Sequence, residues 1–524
     1  MKRTFVASSI GAVGLCALLL VPVQACTNLD ESPPSAISPG NFFRTEGEVL
    51  AALAGVYAQL RGTLDDYYNL SEISTDEMIV PTRGQDWYDN GTWLETHRQI
   101  WTASSPATLS FMNGAWNTAY AGVARANALL DGVANVSVAN QATMVAEART
   151  LRAFYYYILM DLFGGVPLAT TSGIAERPRV SRDSLFRFIE AELLAARADL
   201  ADSWTSGNHG RLTKGAADAM LANLYINAGV FTKDAAGGTG INATGYNSCS
   251  GITVTGGVSA CQAAIDRVDA ILNGPTYDLA PTFAENFNAG NFASPENIFV
   301  VKFAPQSGLG LNFVMRALHY NQFTPTPWNG FAAVANAYNA FDAADARRAV
   351  FLVGPQVNVE TGVPVNDRSG QPLVFTPGIA NITAATEGEG ARVYKWPADP
   401  AHVAQDNGND FAWFRVGEMF LIKAEALNEQ APGSAAALAL VNQLRARAFN
   451  PDVDRATIDR AAILQERLFE FIGEGKRRQD LIRFGQYTAP SQYKPTASPD
   501  FRVLMPIPQG QIDANPQMTQ NSGY

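Results

Sequence analysis

Apolar residues recur at three- and four-residue spacing in many parts of this chain, and this periodicity constrains the fold more than any other feature. The first such stripe begins near Glu46 and has small residues, mostly alanine, between its apolar positions. Small residues let neighbouring helices approach closely. The pattern predicts a helix there and seven more, over 116–133, 143–163, 184–200, 214–228, 416–429, 435–448 and 460–471.

Several of these segments neighbour one another in the sequence, as in proteins that stack helix-turn-helix pairs. They predict an α-dominant fold with a helical-repeat scaffold of the tetratricopeptide type. Between 229 and 409, glycine, proline, asparagine and aromatic residues dominate, with only short apolar runs typical of strands. We therefore predict one domain over 41–524, with its scaffold at 41–228 and 410–490 and a large irregular insert of loops and short strands at 229–409.

The N-terminus has the pattern of an export signal. Lys2 and Arg3 precede an apolar run, and small residues lead to Cys26. This order predicts a signal peptide at 1–25 and lipid attachment at Cys26. The alternative is an ordinary secretory signal followed by an incidental cysteine.

After cleavage, residues 26–40 form a polar, proline-containing stretch that we interpret as a lipidated tether. No later run is apolar for long enough to predict a membrane span. Loss of the signal removes two cations and no acidic residue, which moves the formal charge from −11 to −13. So acidic a chain is a poor match to phosphate backbones, and nucleic acid is not an expected partner.

Two cysteines remain outside the signal and the lipid site, Cys249 and Cys261, twelve residues apart in a stretch rich in glycine, serine and threonine. In an exported protein this spacing favours a disulfide that closes a loop, with two free thiols as the alternative.

Several motifs, taken in order along the chain, are similar to the SusD/RagB family of surface nutrient-binding lipoproteins. They are Glu-Ala-Arg-Thr-Leu-Arg-Ala-Phe-Tyr-Tyr-Tyr at 147–157, Leu-Phe-Gly-Gly-Val-Pro-Leu at 162–168, Gly-Arg-Leu-Thr-Lys-Gly-Ala-Ala at 210–217, Arg-Val-Gly-Glu-Met-Phe-Leu-Ile-Lys-Ala-Glu-Ala-Leu-Asn at 415–428, Val-Asn-Gln-Leu-Arg-Ala-Arg at 441–447, the acidic and basic run 466–477 with Asp-Leu-Ile-Arg at 480–483, and Pro-Ile-Pro at 506–508 with Asn-Pro at 515–516. The resemblance implies a protein on the outer face of the outer membrane that captures oligosaccharides or peptides and passes them to a TonB-dependent transporter of the SusC type.

The motif residues have a structural interpretation of their own. Glu466, Arg467, Glu470 and Arg477 are spaced to form ion pairs within a helix, while Leu464, Leu468, Phe471 and Ile472 face a core. These side chains are therefore predicted to stabilise the fold rather than to contact a ligand.

A sugar site needs aromatic platforms flanked by polar side chains that pair with hydroxyls. The segment 76–93 supplies that mixture, and its candidate ligand-binding residues are Asp76, Arg83, Trp87, Tyr88, Asn90 and Trp93. The family resemblance implies a glycan site partly on this loop. A second candidate lies in the insert, with Tyr320 and Trp328. For both sets the alternative is packing within the protein, which is the role we predict for Trp101 and Trp116.

Catalytic motifs are nearly absent. The four histidines are scattered, and neither a His-Glu-x-x-His zinc pattern nor a Gly-x-Ser-x-Gly elbow occurs. We predict no enzyme activity, no cofactor and no metal site. The alternative functions are a surface glycoside hydrolase, which would need two carboxylates across a cleft, and a structural or adhesive lipoprotein.

Overall fold

Helices form most of the regular structure in the computed structural model, which describes residues 43–134, 136–235, 237 and 240–524. The predicted signal peptide, Cys26 and the predicted tether lie outside the described residues. The described part contains fifteen α-helices: α1 Glu46–Ile73, α2 Thr92–Arg98, α3 Asn113–Val133, α4 Gln141–Phe163, α5 Arg182–Arg197, α6 Lys214–Ile226, α7 Ala228–Phe231, α8 Ala260–Leu272, α9 Phe313–Ala317, α10 Ala335–Ala340, α11 Val416–Gln430, α12 Ala435–Ala448, α13 Arg460–Phe471, α14 Arg477–Arg483 and α15 Gln509–Ala514.

The long helices pack in chain order, each on the next. α1 contacts α3, α3 contacts α4, and the series continues through α5, α6, α8, α11 and α12. The helices thus form one stack in which each contacts the next, and the predicted tetratricopeptide-like helical fold is confirmed. The stack buries α4 most deeply, and every side chain from residue 150 to residue 163 lies in the interior.

Hydrogen-bonding side chains begin many of these helices. Thr45 and Glu48 form a capping box at the start of α1. Serine, threonine or aspartate oxygens accept the first free backbone N–H groups of α5, α6, α8, α12 and α13. These residues fix where each amphipathic segment enters the stack.

Helix α8 lies within the range 229–409, where the sequence analysis singled out no helix. It packs against α6 and α11 and so belongs to the scaffold rather than to the loops. Cys261 in its first turn is disulfide-bonded to Cys249. Both cysteines are buried.

Eight short strands pair as four separate two-stranded antiparallel ribbons in the described part of the chain. The strands are β1 Met78–Ile79, β2 Asn297–Val301, β3 Ala332–Ala333, β4 Phe351–Leu352, β5 Gly354–Pro355, β6 Val374–Phe375, β7 Arg392–Val393 and β8 Phe411–Arg415. The longest ribbon, which is buried throughout, joins β2 to β8, with Val301 opposite Phe411 and Asn297 opposite Arg415. The β1–β3 ribbon joins the end of α1 to the insert.

The charged motif residues of α13 and α14 are buried, but the predicted pairing within a helix is wrong. Glu470 pairs with Arg347, Arg415 and Arg447, which lie on three other segments. Arg477 likewise pairs with Asp76, 401 positions earlier. These ion pairs connect distant parts of the chain. The structural role predicted for the motif is therefore confirmed, as is the burial of Leu464, Leu468, Phe471 and Ile472.

Candidate functional site

Three segments meet beside the β1–β3 ribbon: residues 83–93, 319–331 and 366–392. Two buried arginines hold them together. Arg83 donates to the carbonyl oxygens of Thr386 and Glu389, the second at 2.7 Å. Arg392 donates to the carbonyl oxygens of Glu387 and Glu389 and to Oδ1 of Asn329, each at 2.8 Å. The loops are thus tied to one another by charge-assisted hydrogen bonds, which are stronger than neutral ones.

The first segment displays its aromatic side chains from a tight turn. Trp87, Asp89 and Asn90 all have positive φ angles, of 63°, 41° and 56°. Such backbone is costly for residues other than glycine and is held here by the surrounding contacts. The turn leaves the side chain of Tyr88 61 % exposed and that of Trp87 half-buried. Asn90 is exposed beside them.

The second segment brings the other predicted aromatic residues to the same place. The indole Nε1 of Trp87 donates to the carbonyl oxygen of Trp328 at 2.6 Å. The hydroxyl of Tyr320 donates to Oδ2 of Asp86. Both Tyr320 and Trp328 are half-buried. Two candidate groups that lie more than 220 positions apart in the sequence therefore form one surface.

A polar bridge completes this surface. The guanidinium of Arg368 lies 4.0 Å from the centre of the Tyr320 ring. It contacts Oδ2 of Asp86 at 3.3 Å and donates to Oε1 of Glu387. We call the set Asp86, Trp87, Tyr88, Asn90, Tyr320, Trp328, Arg368 and Glu387 the aromatic loop surface. Sequence reasoning missed Arg368 and Glu387, since nothing in the two polar turns that carry them distinguishes these turns from others in the insert.

Three other predicted site residues already have protein partners. Trp93 is only 8 % exposed, packs edge-on against Trp87 and Phe331, and donates from Nε1 to Asp89 at 2.6 Å. Asp76 accepts two hydrogen bonds from Arg477, at 2.7 and 2.8 Å. Arg83 is 2 % exposed. We assign these three side chains a supporting role instead of direct ligand contact. Trp101 and Trp116 are buried, as predicted.

Ionisation at the surface follows from these contacts. Burial would raise the pKa of Glu387, but hydrogen bonds from the Arg368 backbone, His319 and the Arg368 side chain bring it below its ordinary value. Burial and the bond to Asp86 raise the pKa of Tyr320 to about 12. At neutral pH the surface therefore presents an ionised Glu387 and a neutral phenol.

An open cleft of about 510 Å³ adjoins the polar bridge and is lined by Arg83, Gly84, Asp367, Arg368, Glu387 and neighbouring residues of 366–388. A second cavity, of about 400 Å³, runs along α1 and is lined mainly by apolar groups, among them Leu50, Leu53 and Tyr57. Ligand pockets combine apolar surface with a few well-placed polar groups, and a hydroxyl-rich ligand requires the polar groups. The first cleft, next to exposed aromatic rings, is the better candidate for such a ligand.

Within the described ranges, no cluster of three or more histidine, cysteine, aspartate or glutamate side chains is suited to hold a metal ion. None of the helices in those same ranges is both long and apolar enough to cross a membrane.

The structure combines a helical-repeat scaffold with a surface of aromatic and polar side chains carried on loops. Two family models match the chain, one described as "SusD family" over residues 332–524 and one as "Starch-binding associating with outer membrane" over residues 28–226. Together they span most of its length. The chain belongs to the SusD/RagB family.

Relatives of known name align with nearly the full length of this chain. SusD-like protein P2 of Formosa agariphila is 25 % identical, with 97 % of this chain and 98 % of that protein aligned. Starch-binding protein SusD of Bacteroides thetaiotaomicron is 23 % identical over 100 % of both. Surface glycan-binding protein A from the same organism, solved with laminarihexaose, superposes with a TM-score of 0.70 at 20 % identity, covering 91 % of this chain and 99 % of that one. That superposition shows the shared fold.

Proposed function

We propose that this protein is an outer-membrane surface lipoprotein that captures oligosaccharides on the aromatic loop surface without cleaving them. The observation that carries the proposal is the convergence of Trp87, Tyr88, Tyr320 and Trp328 around a network of ionised and amide side chains. Aromatic faces stack on the C–H faces of sugar rings, and the polar groups pair with hydroxyls. Names of relatives such as starch-binding and glycan-binding protein support the ligand class.

The chemistry of the surface supports binding rather than hydrolysis. A glycosidase needs one carboxyl group with a raised pKa to act as a general acid and a second that remains ionised. Asp86 and Glu387 instead share Arg368, and the pKa of Glu387 is lowered. Among the described residues, burial raises the pKa of Asp66, beside Asp65 on α1, and of Glu72 and Glu77, which are at most 1 % exposed. None of these three carboxyl groups belongs to the aromatic loop surface.

The proposed partner is a TonB-dependent transporter of the SusC type, which would receive the ligand from this protein. Family membership and the family description of association with the outer membrane support this part of the proposal. Lipid attachment at Cys26 would hold the protein at that membrane. Co-expression with a candidate transporter, followed by purification through a tag on one of them, tests the complex directly.

Isothermal titration tests glycan capture. The chain from residue 27 onward is titrated with neutral and charged hexasaccharides and with peptides, and the ligands are then recovered and chromatographed. We expect binding of glycans, recovery of intact ligand and about five- to tenfold weaker binding by Tyr88→Ala, because an exposed ring that stacks on a sugar contributes about 1 kcal/mol or more and each 1.4 kcal/mol is about tenfold in affinity. Phe292→Ala, which removes another half-exposed ring, is the matched control.

Cleaved products would support a surface hydrolase instead. Peptide binding without glycan binding would change the ligand class. If none of the hexasaccharides and peptides binds, a structural or adhesive role would be favoured.

A further inference from the structure

We propose that the aromatic loop surface selects neutral oligosaccharides and rejects glycans that carry carboxylate or sulfate groups. This inference rests on the proposed function and names the class of glycan bound at that same surface. It is carried by the position of the Arg368 guanidinium, the exposed cation of this surface, between the carboxylates of Asp86 and Glu387.

Arg368 is already engaged by acidic partners. Its side chain is 52 % exposed, yet Nη2 lies 3.3 Å from Asp86 and Nε donates to Glu387. Its flat face also lies over Tyr320. An anionic sugar that approached this guanidinium would become a third negative group beside two others, and like charges placed together in an interface are strongly unfavourable.

The other basic side chains nearby, including Arg83 at the wall of the cleft, present almost no exposed charge. Arg83 and Arg392 are buried, and their N–H groups point at backbone carbonyl oxygens and at Asn329. Arg316, just before the second segment, pairs with Asp65 of α1.

His319 adds no positive charge either. Its Nδ1 accepts the backbone N–H of Asn321 at 3.2 Å, so the proton lies on Nε2, which donates to Glu387 at 2.8 Å. Burial lowers the pKa of His319 and keeps the ring neutral.

The balance of charge is therefore negative. The segments 83–93, 319–331 and 366–392 carry five carboxylates, Asp86, Asp89, Asp367, Glu387 and Glu389, against the three arginines Arg83, Arg368 and Arg392. A neutral sugar suits this arrangement, because its hydroxyls donate hydrogen bonds to carboxylates while its ring stacks on Tyr88 or Trp87. A uronate or a sulfate ester meets repulsion from the same carboxylates.

Matched ligands test the inference. Laminarihexaose, maltohexaose and mannohexaose are each titrated in neutral form and after selective oxidation of their C6 hydroxyls to carboxylates, so that linkage and length stay constant. A chelator removes divalent cations that would bridge two anions. We expect every neutral hexamer that binds to do so at least about tenfold more tightly than its oxidised form. Added salt should narrow that gap, because it screens exposed charges beyond roughly 8–10 Å.

Two variants of opposite charge locate the effect. Glu387→Gln should raise the ratio of oxidised to neutral affinity by about tenfold, since it frees part of Arg368. Arg368→Gln, at a half-exposed side chain, should lower the same ratio. Asp202→Asn removes one charge from an exposed position between α5 and α6 and should leave the ratio as it is in the unaltered protein. Circular dichroism confirms that each variant is folded.

The outcomes separate this inference from glycan capture itself. Equal or tighter binding of the oxidised forms, lost in Tyr88→Ala, would overturn the selection of neutral glycans and leave glycan capture standing. If neither Glu387→Gln nor Arg368→Gln changes the ratio of oxidised to neutral affinity, the selection of neutral glycans would likewise be overturned. Binding of none of the six probes would overturn this inference together with glycan capture at the surface.

Discussion

Glu72 and Glu77 lie against each other in the interior, between the last turn of α1 and the start of β1, and are 0 % and 1 % exposed. Burial raises the pKa of Glu72 to about 7, and burial together with the charge of Glu72 raises that of Glu77 further above its ordinary value. Ionising both carboxyl groups would place two like charges side by side in a buried site, which is unfavourable. The pair therefore shares one proton at neutral pH.

We expect Glu77→Gln to stabilise the protein more at pH 8 than at pH 5. In the unfolded chain both carboxyls lose their protons near pH 4.5, whereas the folded pair retains a proton to higher pH. The free energy of unfolding of the unaltered protein therefore falls as pH rises through this window, at about 1.4 kcal/mol per unit of pKa difference. The amide cannot ionise, so the variant loses much of this slope.

Urea unfolding at pH 5, 6, 7 and 8 measures the difference between the variant and the unaltered protein. Asp202→Asn, an exposed acidic position, is the control and should show no such trend. A difference that stays constant from pH 5 to pH 8 would contradict the shared proton.

At the candidate site, composition alone identified some residues and not others. Tyr88 and Trp87 could be predicted because a cluster of aromatic and polar residues between helices is uncommon. The roles of Asp76, Arg83 and Trp93 could not, because each depends on a partner that only the fold brings near. Arg368 and Glu387 lie more than 270 positions from Asp86, and no spacing rule connects them.

Among the structural elements, the scaffold helices were the most predictable and α8 was missed. The matched helices have long amphipathic stripes, and five of the eight begin with a side-chain N-cap. Both features are local properties of the sequence. Helix α8 has both features, with Ser259 as its cap, but it follows a long stretch of glycine, serine and threonine typical of loops. The disulfide to Cys249 and packing on α6 and α11 hold it in the stack.

Replacing both Cys249 and Cys261 by serine should lower the free energy of unfolding by up to about 3 kcal/mol. The bond closes a loop of twelve residues, and its loss increases the conformational freedom of the unfolded chain. Urea unfolding with and without a reductant measures the effect. The reductant should lower the urea midpoint of the unaltered protein and leave the urea midpoint of the double variant unchanged. Equal midpoints for the oxidised and reduced protein would show that α8 is held by packing alone.

Across the whole molecule, buried ion pairs join the insert to the scaffold. Glu470 on α13 contacts Arg347 of the insert at 3.0 Å, Arg415 on β8 at 2.7 Å and Arg447 on α12 at 2.5 Å. Arg415 and Arg447 also contact Glu296, at the start of β2. Each of these side chains is at most 4 % exposed. The insert, which contributes two of the three segments of the aromatic loop surface, is thus joined to the scaffold core by a buried charge network.

Glu470→Gln should therefore destabilise the entire domain, by about 3–5 kcal/mol, because it leaves buried guanidinium groups without their shared carboxylate. Asp183→Asn, which breaks an exposed pair with Arg187, is the matched control and should cost less than about 1 kcal/mol. Urea unfolding followed by circular dichroism and by tryptophan fluorescence measures both variants. Coincident transitions would show that the insert and the scaffold unfold together.

The stability of the protein at acid pH should also depend on this ion-pair network around Glu470. Burial would raise the pKa of Glu470, but the charges of Arg447, Arg415 and Arg347 bring it well below its ordinary value. A carboxyl whose pKa is lower in the folded state stabilises the protein fully above its unfolded pKa, near 4.5, and that contribution is lost as pH falls below it. Between pH 5 and pH 3 the unaltered protein should thus lose stability more steeply than Glu470→Gln, which has no proton to take up there. If the free energy of unfolding falls equally steeply in the unaltered protein and in Glu470→Gln, then other carboxylates, and not this junction between insert and scaffold, determine how the molecule unfolds in acid.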